Sequence, residues 1–158
     1  MANGVFNICK GRARELYNRV KSNDPAGSQL VLILCTGTET EENIKECETV
    51  TALLATVLAE CTFTNYVRTD LDDGDLAALP SPDHTADDAA FTLPDTTITS
   101  AGGASNDTIS RLIVCYDISG TDADGTLQPM TFHDFAITTN GGDLTMDFPT
   151  TELFLAGE

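Results

Sequence analysis

Tryptophan is absent from the chain, and tyrosine and histidine occur only three times and twice. Without exposed aromatic platforms a carbohydrate-binding face has little to build on. With two histidines, a metal pair held by several imidazoles has too few ligands to draw on. Positive charge is scarce as well: 8 Lys and Arg stand against 25 Asp and Glu, a formal net charge of −17. Such a polyanion repels nucleic acid and anionic lipid, so neither is an expected partner. No apolar run approaches the ~18 residues of a membrane span, and the N-terminal MANGVFNICKGRAR lacks the apolar stretch of a secretory signal. The expectation is a protein that remains in the cytosol where it is made. Cys9, Cys35, Cys47, Cys61 and Cys115 are odd in number and include no C-x-x-C pair, which predicts reduced, buried thiols.

What the chain does have is enough apolar material for one core: 41% of its 158 residues. Its charge is unevenly placed. Lys10, Arg12, Arg14, Arg19 and Lys21 face only Glu15 within the first 21 residues, so that segment carries +4 and the remainder −21. A cationic start joined to an anionic body suits docking between unlike surfaces.

Within that segment Ala13, Leu16, Tyr17 and Val20 fall at i, i+3, i+4 and i+7, predicting a helix over 10–22 that ends at Asn23-Asp24-Pro25. Leu16 and Val20 also satisfy the alternation of a strand. Gln29 to Thr36, QLVLILCT, reads as a central strand buried on both faces. Thr38-Glu39-Thr40-Glu41 has capping-box spacing, and Ile44, Cys47, Thr51, Leu54, Leu58 and Cys61 continue it as one helix within 41–60. From Phe63 onward short β-rich segments at 62–69, 90–99, 110–117 and 131–148 alternate with Gly, Pro, Asp and Ser clusters. Phe135 and Ile137 before Asn140-Gly141-Gly142, and Leu144, Met146 and Phe148 after it, predict a hairpin with one buried face. Asp70 to Asp88, with seven aspartates and two prolines, reads as a long surface loop.

The expected fold is therefore α+β, mainly β: an antiparallel sheet, sandwich or barrel with one or two helices in the N-terminal half. Residues 1–28 form a basic N-terminal segment, and 29–158 a single acidic domain with an exposed loop near 70–90.

Candidate chemistry is thin. Asp72, Asp73 and Asp75 around Gly74, and Asp122 and Asp124 before Gly125, invite calcium, but neither group completes a binding loop. His133-Asp134 has the form of a bimetal dyad, with only His84 left to help. A Ser-His-Asp triad lacks its G-x-S-x-G elbow, and Ala101-Gly102-Gly103-Ala104-Ser105 lacks the lysine and hydroxyl of a phosphate loop and reads as a flexible turn. Cys9, beside Lys10, is the one thiol with a cation next to it. No catalytic residue, metal or cofactor is expected. The candidate partner-binding residues are Lys10, Arg12, Arg14, Arg19 and Lys21.

Four ordered segments, FN-x-x-KGR-x-x-ELYNRVK-x-NDP-x-x-S, FTNYVR-x-x-L-x-x-x-DLAALP-x-PD, S-x-LIVCYD and P-x-TFHDFA-x-TTNGGDL, span nearly the whole chain. Together they resemble small virion-associated proteins of tailed bacteriophages, especially those infecting actinobacteria. The resemblance implies a non-enzymatic capsid decoration or cement protein, made in the host cytoplasm and bound to the outside of the virion. Its implied partners are the major capsid protein and copies of itself. A minor tail or head-tail connector component is the alternative. The cysteines at 9, 35, 47 and 61 depart from the apolar or small residues expected there.

Overall fold

Gln29–Thr36 is buried along nearly its whole length because it runs through the interior of a sheet covered on both faces. The computed structural model describes residues 3–56, 58–78 and 92–148. Among them are eight strands, β1 (Gly4–Val5), β2 (Gln29–Thr36), β3 (Ala59–Glu60), β4 (Thr69–Leu71), β5 (Thr96–Ile98), β6 (Thr108–Asp117), β7 (Gln128–Thr138) and β8 (Leu144–Met146). The four helices are α1 (Ala13–Lys21), α2 (Glu41–Lys45), α3 (Val50–Thr56) and α4 (Asp73–Leu76). The main sheet is antiparallel throughout, in the order β1-β7-β6-β2, with β3 and β4 both on the far edge of β2. β5 and β8 pair as a separate two-stranded ribbon.

Alternation along the strands divides the core in two. Leu30, Leu32 and Leu34, with Leu112, Val114 and Tyr116, share one cluster with Leu16, Tyr17 and Val20 of α1, Leu76 of α4 and Ile98, Leu144 and Met146 of the ribbon. Val31, Ile33 and Cys35, with Ile113, Cys115 and Phe132, share the other with Ile44, Cys47, Val50 and Leu53. The fold is thus α+β, mainly β: among the described residues an open antiparallel sheet lies between two covering layers, without the closure of a barrel.

The N-terminal segment belongs to this core. β1 pairs with β7, Phe6 N–H donates to the Met130 carbonyl at 3.0 Å, and the Tyr17 hydroxyl donates to the Thr92 carbonyl at 3.1 Å. The predicted stripe is the buried side of α1. Asn23, in the left-handed region at φ 51°, turns the chain out of the helix, as the Asn-Asp-Pro sequence predicts.

Several expectations are corrected. The single helix of 41–60 is two helices. Thr40, not Thr38, caps α2 by accepting from Asn43 N–H at 3.5 Å. The chain then leaves the helix because the first donors of α3 are taken by the connection between β6 and β7: Val50 N–H bonds the Leu127 carbonyl and Thr51 N–H the Asp124 carbonyl. That break changes the buried face, so Val50 and Leu53 enter the core while Thr51 is exposed and Leu54 half-buried. With α4, which was not expected, the described residues hold four short helices where one or two were expected.

The 131–148 hairpin does not form either. β7 pairs with β6, and β8 pairs with β5 through Thr96–Met146 and Ile98–Leu144. The Asn140-Gly141-Gly142 turn instead docks on Ala101, whose N–H and carbonyl bond Gly142 and Gly141 at 2.8 and 2.7 Å. Leu144, Met146 and Phe148 are buried as their alternation predicts, but Phe135 is half-buried and Ile137 exposed. Ala136 and Thr138 are exposed with it.

Of 62–69, only Thr69 lies in a strand. The aspartates at 72–75 are not loop breakers: Asp72 caps α4 by accepting from Gly74 and Asp75 N–H, and the Asp75 carboxylate accepts from Asp72 N–H. This capping box delivers Leu76 into the core. The rest of the expected loop, 79–91 with His84, lies outside the described residues.

Candidate functional site

The inward stripe of α1 leaves Arg14, Asn18 and Ser22 on its outer side, one turn apart. With Gly11, Glu15, Arg19 and Asp24 they line an open groove of about 520 Å³. Arg12 and Arg19 both reach Glu15, at 3.8 and 3.0 Å, with all three side chains roughly half exposed. Pairs this exposed contribute little to stability, so the two guanidinium groups stay available to a partner. Lys10 is exposed and Arg14 half-buried, and neither forms an ion pair among the described residues. The structure therefore gathers Arg14 and Arg19 on one helix, with Arg12 at its N-cap, Lys10 in the turn before it and Lys21, half-buried, at its end.

The other three cations are committed internally. Lys45 holds Glu41 at 2.9 Å, and Arg111 pairs with Asp134 across β6 and β7. Arg68 is the centre of a network that sequence reasoning missed. Its guanidinium meets both oxygens of Glu60 at 2.8 and 2.7 Å, Asp122 at 3.2 Å and Asp124 at 2.7 Å. Glu60 also accepts the Tyr66 hydroxyl at 2.9 Å, and that hydroxyl accepts Leu34 N–H at 3.2 Å. Tyr66 thereby satisfies a backbone donor on β2 in the gap between β3 and β4. The hydrogen bonds that Arg68 donates to Glu60 hold its guanidinium firmly protonated against the opposing effect of burial. Buried Asp117 shapes the turn that brings Asp122 in, accepting from Ser119 and Asp122 N–H at 2.9 and 2.7 Å. The only signal in the sequence was that an arginine in an acidic body must meet acids; Glu60 lies 8 residues away, but 54 residues separate Asp122 and hid the rest of the network.

Asp122 and Asp124 are thus partners of Arg68, and Asp72 and Asp75 cap a helix. Among the described residues no three His, Cys, Asp or Glu side chains converge as metal ligands. The His133-Asp134 pair is split by the strand, since neighbouring side chains point to opposite faces. His133 is buried, with Nε2 3.1 Å from the Thr131 hydroxyl, while Asp134 meets Arg111.

All five cysteines are free and buried, and burial raises every thiol above its ordinary range, Cys35 and Cys61 to about 12. Cys9 is no exception. It lies in the core and takes a hydrogen bond from Gln128 at 3.2 Å, so the neighbouring Lys10 does not make it an accessible thiolate. Nor is the 101–105 turn loose: Gly102 N–H bonds the Thr64 carbonyl and Gly103 N–H the Asn106 carboxamide. Gly102 sits at φ +90° with Asn106 and Thr139 so near that a Cβ would come within 2.3 and 2.8 Å of them.

Burial pushes the His133 imidazole down from 6.5 to about 4. Between those values the unfolded chain binds a proton that the folded protein does not, so stability falls as pH drops through 6.5 toward 4. The loss between pH 7 and 5 should be about 2 kcal/mol. His133→Gln should flatten that part of the pH profile in urea unfolding, and an unchanged slope would exclude His133 as its source.

No family model matches the chain, and no curated protein or solved structure is similar to it.

Proposed function

We propose that this chain is a non-catalytic structural protein of a bacteriophage particle, a decoration protein on the outside of the major capsid lattice. The observation that carries the reading is electrostatic. Every cation outside the N-terminal segment is committed to a more buried internal ion pair, whereas Arg12 and Arg19 share only the exposed Glu15 and Arg14 forms no ion pair among the described residues, all three along a helix anchored in the core or at its N-cap. A cationic face on a rigid element loses little conformational entropy on docking, and complementary charge orients it on an acidic neighbour. The four segments that resemble phage virion proteins, spread over nearly the whole chain, support the same reading. Each contact is modest, and many copies tighten the shell by multivalency.

Imaging of purified particles at subunit resolution tests this directly. Density of this fold on the shell is the expected result. Density along the tail or at the neck would replace decoration with the tail or connector role. Reversing Arg12, Arg14 and Arg19 to glutamate should weaken binding to undecorated heads by about tenfold or more. Undiminished binding would remove α1 from the interface.

A further inference from the structure

We propose that copies of this chain associate head to tail, the cationic α1 face of one copy seated in an acidic groove beside α2 and α3 of the next. The inference rests on the decoration reading and takes the acidic neighbour that receives α1 to be the next copy on the shell, so that loss of the α1 charges weakens head binding by breaking contacts between copies.

The break between α2 and α3 leaves a groove of about 590 Å³ lined by Glu39, Asn43, Glu46, Glu48 and Thr49. Glu46 and Glu48 are exposed and form no ion pair among the described residues. Glu39 is held below the usual carboxylate range by Thr40 N–H and the Asn43 amide, so it keeps its charge in mild acid. The one nearby lysine, Lys45, is turned to Glu41 on the same helix. The groove is therefore a negative concavity with no cation of its own.

Its complement is α1, and the fold keeps the two apart. α1 covers the Leu30, Leu32 and Leu34 side of the sheet, while α2 and α3 cover the Val31, Ile33 and Cys35 side. Surfaces on opposite faces of one sheet cannot neutralise each other within a molecule. Between molecules they can, and the contact joins unlike patches. A heterologous contact of this kind repeats, closing into a ring or continuing as a row, which suits a protein present in many copies on a lattice.

The net charge of −17 opposes any self-association, but the two effects differ in range. At physiological ionic strength the screening length is about 8 Å, so repulsion between whole bodies is damped while contacting pairs are not. Association should accordingly be weak in very dilute salt, strongest near physiological salt, and weak again near 1 M.

Sedimentation velocity of the full chain, with thermal melts to verify folding, provides the test. Arg14→Glu with Arg19→Glu makes both surfaces acidic; Glu46→Lys with Glu48→Lys makes both basic. The wild type should associate, each double variant alone should associate about tenfold or more weakly, and their equimolar mixture should recover, because each then offers the other an opposite surface. A wild type that is monomeric at every salt concentration, a double variant that associates like the wild type, or a mixture that does not recover overturns the proposal. Binding to undecorated heads is read separately. If Arg14→Glu with Arg19→Glu loses head binding while the wild type does not self-associate, the decoration reading stands and head-to-tail contact falls. Self-association without head binding gives the reverse.

Discussion

A chain lacking residues 1–21 is expected to be unfolded, not to survive as a folded domain without its docking element. The truncation removes Phe6, Cys9, Leu16, Tyr17 and Val20, all buried, together with the β1 pairing on β7. At about 2 kcal/mol per large buried side chain the loss is roughly 10 kcal/mol, an upper figure since unfolded chains already bury some surface. That is comparable with the entire stability of an ordinary domain, about 5–15 kcal/mol. The far-UV circular dichroism of the truncated chain should show no cooperative melt. A melt within a few degrees of the full chain would mean that the segment is an appended arm. Arg14→Glu with Arg19→Glu supplies the contrast: its changes lie on the outer side of the same helix and should leave the midpoint nearly unmoved.

The second large effect is expected at Arg68. Replacing it with methionine keeps most of its apolar stem but strands Glu60, Asp122 and Asp124 beside one another. Removing one partner of a buried ion pair costs about 3–5 kcal/mol. The lower end applies here, because the Asp122 and Asp124 side chains are 36% and 43% exposed and water can take over part of the lost contact. Arg68→Lys should fall between, since a point charge cannot hold Glu60 bidentately and reach two more carboxylates. Adding Glu60→Gln to Arg68→Met should restore part of the loss. Urea unfolding measures all three, and a cost below about 1 kcal/mol for Arg68→Met would reduce the network to ordinary surface pairs.

The proposed receiving groove depends on a feature that periodicity did not reveal. Ile44, Cys47, Thr51, Leu54 and Leu58 suggest one continuous helix; two backbone donors bonded to the 124–127 connection interrupt it and leave Glu46 and Glu48 at the rim of a concavity. The cationic face was legible because it depends only on the spacing of residues within one helix. Its acidic counterpart was not, because it depends on Asp124 and Leu127, far along the chain from Val50 and Thr51.

The same division runs through the whole protein. Local patterning by itself determined α1 and its buried stripe, β2 with both faces covered, a strand at 110–117 that the fold extends to Thr108–Asp117, the inward Leu144-Met146-Phe148 alternation and the segregation of charge. Each follows from hydrophobic period or from turn chemistry acting over a few residues. Tertiary structure alone decided that β8 joins β5 and not β7, that the aspartates after Asp70 build a helix cap, that Arg68 meets Glu60, Asp122 and Asp124, and that α1 and the Glu46–Glu48 groove occupy opposite faces. Pairing of strands and of charges is a competition among distant segments, settled by which arrangement buries the most apolar surface while leaving the fewest donors and charges unmatched. A chain read residue by residue shows the competitors, and only the folded core shows which of them won.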